Sequence, residues 1–386
     1  MNIKKLIKDR FALLLAAALL SGLTALFFHR QALEYQGAYP SDLPAHISQA
    51  VFQDHYNYSL IFIFMRWALL LTHYRVYSVA MLDGMLIGLT FICTAVFIEK
   101  VYGHGKWLSM AVSFFLLFLT SIYVPGWSPW YYRGSIIAQP WHNITYNAMR
   151  PCAVVFLLSF VRLLEIYRKE KRIDLKYWII SCLMLVVTTM NKPSFLMAYA
   201  PGLLVILLID FFGRRNTFKN EFLLGCVVLP AIAVLPFQAG VLFGGENGVL
   251  VAQSIFFFGE GRLVLFLKFL TALPLPVMVY CHNRHRLNHG ADIAAWGYFW
   301  ALMEAMFLME SGPRMTHGNF LWGIEIMGYI LFMYAASMFF RDFKETGKKT
   351  AGRVVYLSFG LIFMMLHIIS GLSYFSLICR GNHFYV

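Results

Sequence analysis

Asp42 and His46, in the run Tyr39-Pro-Ser-Asp-Leu-Pro-Ala-His, place a carboxylate and an imidazole four residues apart. On a helix that spacing puts both on one face, where the carboxylate can serve as a general base held in a fixed direction. The same residues also read as a helix start, with Ser41 or Asp42 as N-cap and Pro44 in the first turn. From the residues alone both roles stand open. A second group is Trp141, His142 and Asn143, within a segment (125–150) that also carries Trp127, Trp130, Tyr131, Tyr132, Arg133, Gln139, Tyr146, Asn147 and Arg150. Aromatic faces beside amide and imidazole groups suit a sugar, whose C–H face stacks while its hydroxyls need directional partners. An aromatic belt at a membrane interface accounts for part of the Trp and Tyr content. Asn143-Ile-Thr145 also matches a glycosylation acceptor pattern, a short and common one.

Further along come Lys192 in Asn191-Lys-Pro-Ser194, then Glu260 and Arg262, then Glu310, Arg314, His317 and Asn319. Lys192, Arg314 and His317 are suited to a phosphate, because guanidinium and ammonium groups give charge-assisted bonds to its oxygens. Taken one at a time, each cation also fits a snorkelling or capping role at a bilayer edge. Polar groups drawn from five separate segments argue instead for one composite site.

What must position these residues is a membrane bundle. Of the 386 residues 60% are hydrophobic and 13% charged, and the mean hydropathy is +0.64. A soluble globule of this length needs more polar surface, whereas lipid-exposed helices need little. The expected fold class is therefore all-α, a single polytopic membrane domain over 1–386. A bilayer core about 30 Å thick takes roughly 20 apolar residues per helix. That length predicts eleven crossings, near 11–28, 78–98, 107–124, 149–166, 177–190, 196–212, 222–243, 263–281, 291–311, 323–340 and 354–378.

The stretch 59–72 is apolar but short and carries Arg66, a charge that is costly against lipid. Positive charge decides how it lies. With 59–72 flat at the interface, loops 1–10, 99–106, 167–176, 213–221, 282–290 and 341–353 fall on one side and hold 21 of the 32 Lys and Arg. The opposite side holds nine, so the first side reads as cytoplasmic, with the N-terminus in and the C-terminus out. The candidate residues then share the outward face, in a first loop (29–77) with interfacial helices, a second (125–148) and shorter turns. The opening basic run and the apolar stretch 11–28 read as an uncleaved first span. The formal charge of +13 is spread over short loops, where it sets topology, and gives no reason to expect a nucleic-acid partner. The six cysteines lie in or beside apolar segments without CxxC or metal-ligand spacing.

This order of elements resembles the GT-C class of integral-membrane glycosyltransferases, which use polyprenyl-phosphate-linked sugars. The resemblance rests on a first span, a large outward loop with an acid near its start (here Asp42), interfacial helices (about 45–72), and further spans ending in outward loops. Bacterial O-antigen and capsule polymerases are similar in topology. The resemblance implies a base at Asp42 aided by His46, a donor phosphate held by Lys192, Arg314 and His317, and a sugar beside Trp141, His142 and Asn143. It also implies membrane lipid, a lipid-linked sugar and a glycan acceptor as partners, in a plasma membrane of bacterial type. Many members carry a second acid, and 125–150 offers His142 in its place, so no cofactor is implied and a divalent metal lacks support. A transporter or flippase for a lipid-linked glycan would use the same cations and aromatics without a base. It would favour repeated halves and midplane binding, and no two-half symmetry is visible. An acyltransferase with a His base would draw its donor from the cytoplasmic side, where the loops offer little besides charge.

Overall fold

The computed structural model describes residues 3–33, 41–52, 58–124, 141, 143–214, 218–243, 249–251, 267–268, 270–286, 289–311, 318–345 and 350–381. Candidate residues His142, Glu260, Arg262, Arg314 and His317 lie outside them. The described chain is a helical membrane bundle. Its long elements are α1 (Ile3–Leu33), α4 (Tyr77–Tyr102), α6 (Ile144–Glu170), α7 (Leu175–Asn191), α8 (Ser194–Arg214), α13 (His289–Phe307), α14 (Leu321–Lys344) and α15 (Ala351–Cys379). Shorter ones are α2 (Leu43–Phe52), α3 (Ile61–Leu71), α5 (Lys106–Leu116), α9 (Phe218–Gly225), α10 (Leu229–Ile232), α11 (Val234–Phe243) and α12 (Pro274–Asn283). Two short strands, β1 (Val249–Val251) and β2 (Leu308–Glu310), pair antiparallel with Val249 opposite Glu310.

Among the described residues six helical stretches are long and apolar enough to cross a membrane: Arg10–Leu33, Tyr77–Tyr102, Ser194–Gly213, Phe218–Val241, Leu321–Lys344 and Ala351–Cys379. The sequence reading placed eleven, and the shortfall has physical causes. α6 is long enough, but Asn147, Arg150, Arg162 and Glu165 make it polar, and most of its residues are buried by other helices. The expected span 107–124 stops being helical after Leu116, and Phe118–Ser121 continue buried without helix. Their freed backbone groups are met by protein: His367 Nδ1 bonds Thr120 O at 2.5 Å, Ser370 Oγ accepts from Tyr123 N at 3.0 Å, and Ile122 N donates to Thr271 O at 3.0 Å. Irregular backbone at membrane depth survives where protein satisfies it in this way. The expected span 291–311 likewise ends at Phe307, where β2 begins. α3 has 11 residues, about 16 Å of helix at 1.5 Å per residue, too short to cross.

Lipid-facing and protein-facing surfaces separate by helical period. On α1, Leu15, Leu19, Leu23 and Leu26 are exposed, while Leu13, Ala17 and Leu20 are buried, an outward stripe that suits acyl chains. The buried side meets α4 through Gly84 and Gly88, one turn apart, where a Cβ would come within 2.3 Å of Ser21 O and 2.1 Å of Ser21 Oγ. Such small-residue spacing lets two backbones approach without a hydrophobic driving force. α14 is enclosed along almost its whole length and forms the centre around which α8, α12 and α13 pack.

Polar and charged groups of the loops expected on the basic side contact one another or the adjoining helix ends. Arg10 pairs with Glu99 through both guanidinium nitrogens, Arg286 Nη1 lies 3.0 Å from Glu345, and His104 Nε2 bonds Ser337 O at 2.8 Å. His289, just outside the predicted span 291–311, contacts Arg168 and lies 2.5 Å from Asp210 and 3.6 Å from Asp292. Burial pushes the His289 imidazole down, but hydrogen bonds to the Asp210 and Asp292 carboxylates outweigh it, and the net shift is upward from 6.5. A raised folded value means the stabilisation is full below about pH 6.5 and is lost as pH climbs through the raised value. The wild-type melting temperature in detergent should therefore fall from pH 6 to 8.5 more than that of His289→Gln; parallel curves would refute the linkage.

Candidate functional site

The candidate site forms where α2, the N-terminus of α6, the turn between α7 and α8, and the start of α14 meet. Asn143 is its hub. It is the N-cap of α6, and its side-chain Oδ1 accepts from Tyr146 N at 3.0 Å and from Thr145 Oγ1 at 2.6 Å. Capping uses the oxygen and leaves the amide nitrogen, which donates to Asp42 Oδ2 at 2.7 Å. On the far side, Lys192 Nζ donates to Thr145 Oγ1 at 3.3 Å and stands 4.1 Å from the Trp322 ring centroid. Every donor in this chain points the same way: ammonium to hydroxyl, hydroxyl to amide oxygen, amide nitrogen to carboxylate. A chain polarised from a cation at one end to an anion at the other is mutually reinforcing, because each bond strengthens the dipole of the next.

Local sequence explains why each group arrives there. Pro193 follows Lys192, so α7 ends and α8 restarts at Ser194, leaving Lys192 extended at φ −158° and ψ 124°. Thr188 and Thr189 return their hydroxyls to the carbonyls of Met184 and Leu185, and Gln238 Nε2 ties Thr189 O to Tyr58 O at 2.8 Å each. That fixes the turn against the start of α3, where Leu60 N donates to Met190 O at 2.8 Å. At α2, Ser41 Oγ accepts from Leu43 N at 3.1 Å. Serine thus serves the helix start, and the Asp42 carboxylate reaches across the bundle instead.

Three sequence expectations are revised. The Asp42 and His46 side chains do not pair: Asp42 bonds Asn143, while His46 Nε2 lies 3.4 Å from Tyr58 Oη with its ring against Phe62. Only the backbone links them, from His46 N to Asp42 O. Trp141 is fully enclosed by Phe27, Phe118 and Phe375, and its carbonyl accepts from Gln31 Nε2 at 2.7 Å. Its ring anchors the chain to α1 and α15 and offers no face to a sugar. Asn143 is 5% exposed with both amide atoms engaged, which rules out the glycosylation reading of Asn143-Ile-Thr145 in the folded state. Glu310 and Asn319 bond each other at 2.6 Å, closing their turn three residues before Trp322.

The site continues into the interior through Asn147 and Arg150, which the sequence offers only as members of the aromatic-rich segment 125–150. Asn143, Asn147 and Arg150 share one face of α6 by i, i+4, i+7 spacing. Asn147 Nδ2 donates to Asp83 Oδ1 of α4 at 2.8 Å. Arg150 is 1% exposed, with its Cζ 4.1 Å from the Tyr329 ring centroid and 5.4 Å from that of Tyr146. The polar column thus runs from Asp42 inward. Among the described residues no group of three or more His, Cys, Asp or Glu is placed to hold a metal ion. The chain matches no family model and no curated protein. The functional reading therefore rests on the chemistry of this column.

Proposed function

We propose that the protein is a GT-C-type membrane glycosyltransferase, moving a sugar from a polyprenyl-phosphate-linked donor to a glycan acceptor at the non-cytoplasmic face during cell-surface glycan assembly. The topology in this proposal is the eleven-crossing one, completed by the polar helix α6, by α7 and α13, by α5 continued through the buried chain 117–121, and by α12 together with the helical residues 270–272 before it. The observation that carries it is the directional chain from Lys192 through Thr145 and Asn143 to Asp42. It brings a carboxylate and an ammonium from distant segments to one end of the bundle.

Each group has a task in the transfer. The acceptor hydroxyl gives its proton to the Asp42 carboxylate as its oxygen attacks the anomeric carbon. The bond from that carbon to the donor phosphate breaks, and the electron pair leaves with the lipid phosphate. Lys192 faces the charge that grows there, in a site walled by Trp322 and buried helix. Asn143 is a positioning residue: it holds Oδ2 of Asp42 and leaves Oδ1 to take the proton. A carrier for a lipid-linked glycan is the second reading, favoured by Arg150 and the Asp83–Asn147 pair inside the bundle. Purified protein in vesicles with lipid-linked sugar and acceptor separates the two. A new glycosidic product supports the enzyme, and translocation without product supports the carrier and ends the transferase reading.

A further inference from the structure

Arg150 sits over the Tyr329 and Tyr146 rings and bonds the Tyr329 hydroxyl, and part of its guanidinium is left over. Its Nε and Nη1 have no hydrogen-bond partner among the described residues, and neither has the Tyr146 hydroxyl beside it. The facing helices supply two carboxylates. Asp83 is bonded to Asn147, and Glu325 lies beside Tyr146 on α14; neither forms an ion pair with the guanidinium. A buried cation among apolar helices is retained at considerable cost unless an anion completes it. Three buried donors without a bonded acceptor suit a ligand that brings acceptor oxygens and negative charge together. Phosphate oxygens meet both demands, and the planar guanidinium matches them two at a time.

The neighbourhood also sets the ligand's size. The Tyr146 and Trp322 rings lie 5.3 Å apart, and Lys192 Nζ stands 4.1 Å from the Trp322 ring. Arg150 thus faces the Tyr146 ring of this pair, at 5.4 Å, and Lys192 the Trp322 ring. Two cations set apart by a pair of rings fit two linked phosphates better than one. We propose that Arg150 and Lys192 form the inner and outer cations of a diphosphate site, with the Tyr146 hydroxyl as a third donor. Because Arg150 is 1% exposed, entry requires the side chains packed over it to move. The ligand's identity as a lipid diphosphate donor rests on the glycosyltransferase reading; the need for an anion does not.

The test is thermal unfolding of the full-length protein in detergent with inorganic pyrophosphate, inorganic phosphate and farnesyl diphosphate as probes. Pyrophosphate at saturation should raise the wild-type midpoint by about 2–5 °C, and phosphate by clearly less. Arg150→Met should raise the midpoint without anion, since it removes an uncompensated buried charge, and should weaken pyrophosphate binding about 10- to 100-fold. Tyr146→Phe should leave the anion-free midpoint unchanged and weaken binding several-fold. A structural arginine behaves oppositely. If Arg150→Met lowers the anion-free midpoint and leaves the pyrophosphate shift intact, or if phosphate and pyrophosphate act alike on every variant, the proposal is overturned. A farnesyl diphosphate shift larger than that of pyrophosphate assigns the ligand to a lipid, and an equal one to the free anion; either supports the site. Diphosphate binding without sugar transfer would sink only the transferase reading. Transfer that survives in Arg150→Met with unchanged donor affinity would sink only this one.

Discussion

Asp42→Asn should reduce sugar transfer by about 10²- to 10⁴-fold, the usual contribution of a positioned general base, while the protein folds and inserts as before. The structural reason is that the Asn side-chain oxygen can still accept the 2.7 Å bond that Asn143 Nδ2 now gives to Asp42, so the hub keeps its geometry and loses only its proton acceptor. The loss should fall on kcat, with the donor KM nearly unchanged, because the carboxylate acts on the acceptor hydroxyl as charge develops and not on the bound lipid phosphate. Asn143→Ala supplies the contrast. It removes the N-cap of α6 and the tether of Asp42 together, so it should lower stability by about 0.5–2 kcal/mol and reduce transfer as well. Full-rate transfer by Asp42→Asn, measured with purified protein and lipid-linked sugar, would dismiss the base.

Membrane class was plain from composition because lipid-facing positions such as Leu19, Leu23 and Ile369 need no polar partner. The span count was harder to read because hydropathy measures lipid exposure, not membrane depth. α6 carries Asn143, Asn147 and Arg150 on one face and buries them against protein, so its polarity hides its length. At the site, the sequence offered Asp42, Asn143 and Lys192 as separate outward residues, and the structure links them through Thr145, which the sequence marks only as part of a glycosylation pattern. The Asp42–His46 pair failed for a definite reason. Spacing of i, i+4 fixes a shared helix face, but Asp42 sits before the first residue of α2, where a side chain is free to turn away. Trp141 misled because aromatic residues near an interface serve packing and recognition with the same chemistry. Only its enclosure by Phe27, Phe118 and Phe375 distinguishes the two.

The largest stability effect is expected at a residue far from this chemistry. Gly202 of α8 crosses Gly297 of α13 so closely that a Cβ on Gly202 would lie 2.6 Å from Gly297 N and 2.8 Å from Ile293 O. Both neighbours are backbone atoms, so no rotamer change can make room, and the two helices must separate. Gly202→Leu should therefore cost about 1–3 kcal/mol or more, because interhelical packing in lipid depends on close contact and cannot be recovered by apolar burial elsewhere. The effect should spread, since α13 also packs on α14, the element that delivers Trp322 to Lys192. Loss of sugar transfer in Gly202→Leu should thus follow loss of stability. Gly22 on α1 is the matched control: nothing lies within 4 Å of its added Cβ. Gly22→Ala should leave packing intact and gain up to about 1 kcal/mol from helix propensity. Thermal unfolding of the two variants in the same detergent checks the argument. Equal midpoints would mean that α8 and α13 do not cross at Gly202, which would detach α13 from the bundle that holds the site together.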